Sequence, residues 1–181
     1  MKSSHVDSLW QPFPACADVR LRNWLLDRGS LTRRIQLRCD RFHVELLAQR
    51  AAAVDRDECA VIGVRPGVRC VAREVSLNCG RRPVVFAHSV VELRAVRGPW
   101  RMLMTLEARP LGAVLFADPR VKRHPLRFRQ LNRQHELYRH ACALLEWPLA
   151  CLWARRSLFV LPGSRLLVTE VFLPAILALA P

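Results

Sequence analysis

The sequence predicts an α+β fold, an antiparallel sheet with helices packed on it. Two features carry that prediction. Apolar, β-branched runs come in pairs joined by tight turns: residues 70–77 and 84–91 flank Gly80-Arg81-Arg82-Pro83, and 157–161 and 166–173 flank Pro162-Gly163-Ser164-Arg165. Helical periodicity, in contrast, is confined to short separate stretches, and no strand–helix–strand alternation appears. With 181 residues and 51% hydrophobic content, the chain has material for one domain with a sizeable core.

Taken in order, residues 1–18 contain Pro12 and Pro14 and little periodicity, and read as a loosely attached arm. Leu21, Trp24, Leu25 and Arg28 then fall on one side of a helix, which Gly29 ends as a residue in the left-handed region would. Ser30 is placed to cap a second short helix, Leu31-Thr32-Arg33-Arg34-Ile35. The two make a helical hairpin able to fold over something, without the basic surface of a DNA-reading motif. Residues 42–53 fit either a strand or a helix, and 55–67 read as a turn-rich link. The first strand pair follows. An irregular segment, 94–108, leads to a short helix at 110–116, with Pro110 suited to its first position. Residues 120–127 are basic and loop-like, and 131–147 carry apolar residues near helical spacing up to Pro148. The end is strand-like: 149–153, 157–161 and the run 166–173, closed by Pro174.

That last run, Leu166-Leu167-Val168-Thr169-Glu170-Val171-Phe172-Leu173, is apolar on both faces of its period-2 pattern, as in a buried strand. Glu170 stands in its middle, and a buried carboxylate needs a partner. Arg73 is its counterpart: Val71, Arg73, Val75 and Leu77 share a face, so the guanidinium points with the apolar set. Two arrangements satisfy both charges. One is a buried Arg73–Glu170 salt bridge. The other is a pocket in which Arg73 holds a ligand carboxylate by paired hydrogen bonds and Glu170 accepts from a ligand hydroxyl. His135 and His140 read as surface histidines. Leu152-Trp153-Ala154-Arg155-Arg156-Ser157 reads either as an anion-binding stretch or as a strand end with exposed arginines. Nucleophile-elbow, P-loop and dinucleotide-binding motifs are absent, and no Cys/His spacing suits a metal.

The formal net charge is +14, almost entirely arginine, since Lys2 and Lys122 are the only lysines. This excess fits a nucleic-acid footprint, a field for small anionic substrates, or compositional bias. It is scattered and interleaved with acids, so it locates no site. The cysteines number 7, an odd count without a CxxC pair, and several sit in apolar runs as small core residues. The N-terminus has no apolar signal region, and the apolar end, 171–180, is about half the length that spans a bilayer. These features point to a reducing, cytoplasmic compartment.

Six motifs in register resemble one family. They are Trp24-Leu25-Leu26-Asp27-Arg28-Gly29-Ser30-Leu31-Thr32-Arg33, Arg73-Glu74-Val75, Arg97-Gly98-Pro99-Trp100, Arg109-Pro110-Leu111-Gly112, Leu152-Trp153-Ala154-Arg155-Arg156-Ser157 and Thr169-Glu170-Val171-Phe172-Leu173-Pro174. Over roughly residues 21–174 the chain is similar to bacterial chorismate–pyruvate lyases. The resemblance implies an arm at 1–18 and a catalytic domain at 19–181, a single-domain antiparallel sheet with helical flaps enclosing an internal ligand site. It implies conversion of chorismate to 4-hydroxybenzoate and pyruvate on the way to ubiquinone, with no cofactor and no metal. By motif position, Arg73 is the residue at the ring carboxylate and Glu170 the residue at the 4-hydroxyl, these two being the catalytic pair. Leu31 and Leu111 are flap positions whose backbone faces the ligand. His88 stands where an arginine is expected, which bears on the second carboxylate, and Leu31 replaces a methionine found in some members. The expected partner is the small-molecule substrate alone, bound by a monomer, with no nucleic acid and no stable membrane insertion. The rival is a non-catalytic effector-binding domain of the same architecture. A nucleic-acid-binding protein comes third, lacking any recognised module.

Overall fold

The computed structural model describes residues 9–179. The two predicted hairpins lie side by side, and their inner strands pair to make one antiparallel sheet. Its strands are β1 (Phe42–Ala52), β2 (Cys70–Cys79), β3 (Arg82–Glu92), β4 (Lys122–Arg123), β5 (Arg127–Leu131), β6 (Leu152–Leu161) and β7 (Ser164–Phe172). The order is β1-β2-β3-β7-β6-β4, and β5 shares the outer edge of β6 with β4. The helices are α1 (Val19–Leu26), α2 (Leu31–Gln36), α3 (Arg56–Ile62), α4 (Leu111–Ala117) and α5 (Glu136–Cys142).

Strand side chains alternate between faces, so the register decides which of them meet. Arg73, Ser89, Val168 and Ser157 stand opposite one another across β2, β3, β7 and β6, and Val75, Ala87, Glu170 and Arg155 form the adjacent row on the same face. On this front face α1 and α2 pack Trp24, Leu25, Leu31 and Ile35 against Val44, Val75, Leu77 and Phe172. Farther along, Leu111 and Leu115 of α4 join Trp100 and Leu103 against Val71, Leu166 and Phe159. Two apolar clusters thus cover the two ends of the front face and leave its middle rows between them.

The back face repeats this plan. α5 and Trp10 cover Phe86, Leu152 and Val171, while Ile62 of α3 covers Cys70, Val90 and Leu167. Between these clusters runs a buried polar row, Glu74, His88, Thr169 and Arg156. Carboxylates from α3 complete it: Arg156 Nη1 donates to Asp57 Oδ2 at 2.9 Å, and His88 Nε2 lies 3.3 Å from Glu58 Oε1. Glu74 Oε1 accepts from His88 Nδ1 at 3.2 Å and from His140 Nδ1 at 2.9 Å.

Several expectations need correction. The described arm residues are tied down: Gln11 exchanges two 2.8 Å backbone bonds with Phe128, and Trp10 is buried. Residues 42–52 are strand. The link at 55–67 contains α3, started by Asp57 and Glu58 in its first turn and ended by Gly63 at φ 76°. The helix expected at 131–147 is only α5, because 127–131 pair with β6 instead. β6 is one continuous strand, and both of its arginines are buried rather than exposed. Gly29 is not left-handed; Asp27 Oδ1 accepts from its N–H at 2.6 Å, closing a turn between α1 and α2. Ser30 does cap α2, accepting from Arg33 N at 3.3 Å. Neither His135 nor His140 is a free surface group, since His135 Nδ1 accepts from Leu137 N to cap α5. Two cysteines at the core are not free thiols: Cys39, after α2, and Cys79, at the end of β2, form a disulfide, leaving five free thiols.

Burial alone would push the His88 imidazolium pKa down, but the Glu58 and Glu74 carboxylates outweigh it and raise it to about 9. His88 therefore contributes stability that is complete below its ordinary value of 6.5 and lost as pH rises through about 9. The thermal midpoint of the wild type should fall between about pH 7 and about pH 9.5, whereas His88→Gln should start lower and stay flat. A wild-type midpoint constant over that interval would contradict the assignment.

Candidate active site

The uncovered middle of the front face is a cavity. Its floor is the double row of β2, β3, β7 and β6, with Arg73, Ser89, Ser157, Glu170 and Arg155 as polar members. Its roof has two parts: Gly29, Leu31 and Thr32 from the α1–α2 hairpin, and Pro110, Leu111, Gly112, Leu115 and Phe116 from the start and body of α4. The two flaps touch, for a Cβ on Gly112 would stand 3.5 Å from Ser30 Oγ and 3.6 Å from Thr32 Oγ1. All four sequence-predicted site residues, Arg73, Glu170, Leu31 and Leu111, line this one cavity.

Of the two arrangements the sequence left open, the Arg73–Glu170 salt bridge is not formed. Glu170 stands directly opposite Arg155 on the neighbouring strand, whereas Arg73 is two strands away and in the adjacent row. Glu170 Oε2 accordingly accepts from Arg155 Nε at 2.5 Å. Arg155 is fully buried, and its Nη1 also donates to the carbonyls of Trp24, Leu25 and Asp27 at 3.1, 3.1 and 2.6 Å. These are the orphan acceptors at the C-terminus of α1, where a cation is favoured.

Arg73 is 2% exposed and donates from Nη2 to the carbonyls of Glu107 at 2.7 Å and Arg109 at 3.1 Å, just before α4. Glu107 has φ 46°, a left-handed conformation costly for a residue with a side chain, and the guanidinium holds it there. Burial lowers the Arg73 pKa, but a guanidinium stays charged at neutral pH. A third arginine, Arg123 on β4, donates to Ser157 Oγ at 3.0 Å and to Arg28 O at 2.6 Å, between the rings of Phe116 and Phe159. Among the described residues, Arg73 Nε and Arg155 Nη2 are buried donors without a protein acceptor. The cavity-lining charges are three guanidiniums and one carboxylate, an excess of two positive charges. Such a site is built for an anion that also presents a hydrogen-bond donor to Glu170. Among the described residues no group of three or more His, Cys, Asp or Glu is arranged to hold a metal ion.

His88 lies on the back face, because its neighbours Ala87 and Ser89 point into the cavity and strand alternation turns it away. Its replacement of an arginine therefore does not alter the cavity wall. Sequence reasoning missed Arg155 and Arg123 as cavity residues. The period-2 phase of β6, with Leu152 and Ala154 on one face and Arg155 and Ser157 on the other, was the available signal for Arg155. Arg123, on a two-residue strand, offered none.

An antiparallel sheet whose flaps enclose a cationic cavity defines a small-molecule-binding α+β domain. The same fold is found in the effector domain of PhnF from Mycobacterium smegmatis (TM-score 0.58, 15% identity, covering 82% of this chain and 91% of that one). It recurs in the C-terminal domain of a histidine utilization repressor from Pseudomonas syringae (TM-score 0.54, 12% identity, covering 75% and 93%). Identities this low establish the fold alone. Residues 6–179 match the model of the family described as chorismate lyase. The chain is 51% identical over 172 residues to a protein of Nitrosospira multiformis named "Probable chorismate pyruvate-lyase", covering 94% of this chain and 96% of that protein. An Aromatoleum aromaticum protein of the same name is 52% identical over 164 residues, covering 89% and 88%. The chain belongs to the chorismate lyase family and is a lyase.

Arg155→Ala should cost about 3–5 kcal/mol in urea denaturation, since it strands a partly buried carboxylate and three helix-end carbonyls. Arg73→Ala should cost less, about 1–3 kcal/mol, because its protein partners are two neutral carbonyls. The reverse order would show that Arg73, and not Arg155, is the structural cation.

Proposed function

We propose that this lyase converts chorismate to 4-hydroxybenzoate and pyruvate in the cavity on the front face. The observation that carries the reading is the charge of the site: three buried or half-buried guanidiniums against the single carboxylate of Glu170. Chorismate is a dianion with two carboxylates and one hydroxyl, which matches an excess of two positive charges beside one acceptor. Arg73 Nε, a buried donor without a protein partner, is available to the ring carboxylate. Glu170 has one oxygen engaged by Arg155 and offers the other to the 4-hydroxyl. Backbone groups of Leu31 and Leu111, one from each flap, close over the ring.

The reaction breaks the C3–O bond, removes the hydrogen from C4 and aromatises the ring. In the mechanism we favour, that hydrogen passes to the methylene of the enolpyruvyl group while the ether oxygen becomes the keto oxygen of pyruvate. All atoms are then accounted for within the substrate. The protein's part is to bind chorismate in the reactive conformer and to surround it with fixed charges in a dry cavity. Arg73 and Glu170 hold the two ends of the ring in line, and Glu170 acts as hydroxyl acceptor.

The product is a precursor for ubiquinone, and we place the enzyme in the cytoplasm. Five of the seven cysteines are free thiols, the usage of a thiol-keeping compartment, with Cys39–Cys79 as the exception. Among the described residues no helix is long and apolar enough to cross a membrane. We take the enzyme's partner to be the small-molecule substrate, bound by a monomer.

Purified protein given chorismate should release 4-hydroxybenzoate and pyruvate, and Arg73→Ala should lower kcat/KM by at least about 100-fold. Chorismate bound without product would move the protein to the effector-binding class. With chorismate deuterated at C4, the label should appear in the pyruvate methyl group, and its absence there would rule out internal transfer.

A further inference from the structure

We propose that Arg123 binds the enolpyruvyl carboxylate of chorismate and so distinguishes substrate from aromatic product; this rests on the function proposed above. Arg73 is on β2, Glu170 on β7 and Arg123 on β4, so the sheet order sets them along one direction across the floor. In chorismate the ring carboxylate is at C1, the hydroxyl opposite it at C4, and the enolpyruvyl ether at C3, beside the hydroxyl. A ring with C1 at Arg73 and C4 at Glu170 therefore carries its second carboxylate at the Glu170 end, away from Arg73. Beyond Glu170 in the sheet come β6 and then β4.

Two guanidiniums stand at that end, and they are not equivalent. Arg155 is already neutralised by Glu170 and anchored by the α1 carbonyls. Arg123 is half-buried, and among the described residues no carboxylate forms an ion pair with it. Its hydrogen bonds go from Nε to Ser157 Oγ and from Nη1 to the Arg28 carbonyl, both neutral acceptors that orient it without cancelling its charge. The rings of Phe116 and Phe159, with centroids 5.2 and 5.5 Å from its guanidinium carbon, fix it further. Burial lowers its pKa, and among the nearby charges Glu170 opposes that shift, consistent with its place beside the carboxylate. Arg123 also lines an open outer groove, shared with Arg28, His124 and Arg127, so it lies between cavity and solvent. A cation held in this way, oriented and uncompensated, is a carboxylate receptor.

The test compares two ligands that differ in the enolpyruvyl group. Wild-type protein should bind 4-hydroxybenzoate and turn over chorismate; if it does neither, the proposed function fails before Arg123 is reached. In Arg123→Gln, kcat/KM for chorismate should fall on the order of 10- to 100-fold, as for loss of a charge-assisted contact, while the Kd for 4-hydroxybenzoate should change less than about threefold. Equal weakening of both ligands would overturn the proposal, because it would mean that Arg123 acts only as a tether for the flap through Arg28. Unchanged kinetics would overturn it as well. If Arg123→Gln does not fold, Arg123→Met gives the decision: loss for chorismate alone supports the carboxylate contact, and equal or no loss refutes it.

Discussion

The bond between Arg155 and Glu170 is the point on which sheet, flap and site depend together. Glu170 needs a cation because it is the one carboxylate on an otherwise apolar and cationic floor, and Arg155 is the side chain that the β6–β7 register sets opposite it. The same guanidinium reaches the three carbonyls that end α1, so the flap is seated on the sheet through the residue that holds the site's acceptor. Arg73 does the same for the segment entering α4, through Glu107 and Arg109, and Arg123 for the turn after α1, through Arg28. Each half of the roof is thus anchored by a cavity-lining arginine.

The sheet's two faces draw on the same short motifs. Arg73-Glu74, Arg155-Arg156 and Thr169-Glu170 each send one side chain forward and one back. The forward members make the cavity, and the backward members make the buried row closed by Asp57, Glu58 and His140. Glu74 illustrates the strength of the rear row. Burial would raise its pKa, yet His88 and His140 hold it at about 2. A well-partnered rear row keeps β2, β3, β7 and β6 in the register that brings the front groups together, so residues far from the ligand set its geometry.

Much of this was legible in the chain, and the reasons for the rest are physical. The two hairpins were visible because turn residues and apolar runs are local signals. Arg73 and Glu170 were visible as core-facing charges because period-2 alternation fixes the facing of a side chain once a strand is recognised, and their place in a ligand cavity was what the family resemblance implied. Their partners were not, since the pairing of β3 with β7 joins segments about eighty residues apart and no local pattern encodes that register. Adjacent arginines such as Arg155 and Arg156 resemble solvated surface until each is given its own face and its own carboxylate. α3 was hidden by its brevity, although Asp55, Glu58 and Gly63 are spaced as a start and a stop. The Cys39–Cys79 bridge joins residues forty apart, with no spacing motif to announce it.

The choice of hydrogen-bond partners explains how a stable fold keeps this much positive charge inside. A buried guanidinium must have its N–H groups satisfied, and two kinds of acceptor are available. Carboxylates satisfy it and cancel its charge locally; an Arg73–Glu170 bridge, one of the two arrangements the sequence allowed, would have placed that cancellation at Arg73 and left Arg155 without it. Carbonyl and hydroxyl oxygens satisfy it and leave the charge in place. Arg73 and Arg123 take only neutral acceptors, and the one carboxylate is given to Arg155, which is needed as the flap anchor. These bonds offset part of the desolvation cost of the two cations. The floor thus carries cationic groups at both ends, Arg73 on β2 and Arg123 on β4, with the carboxylate of Glu170 between them on β7.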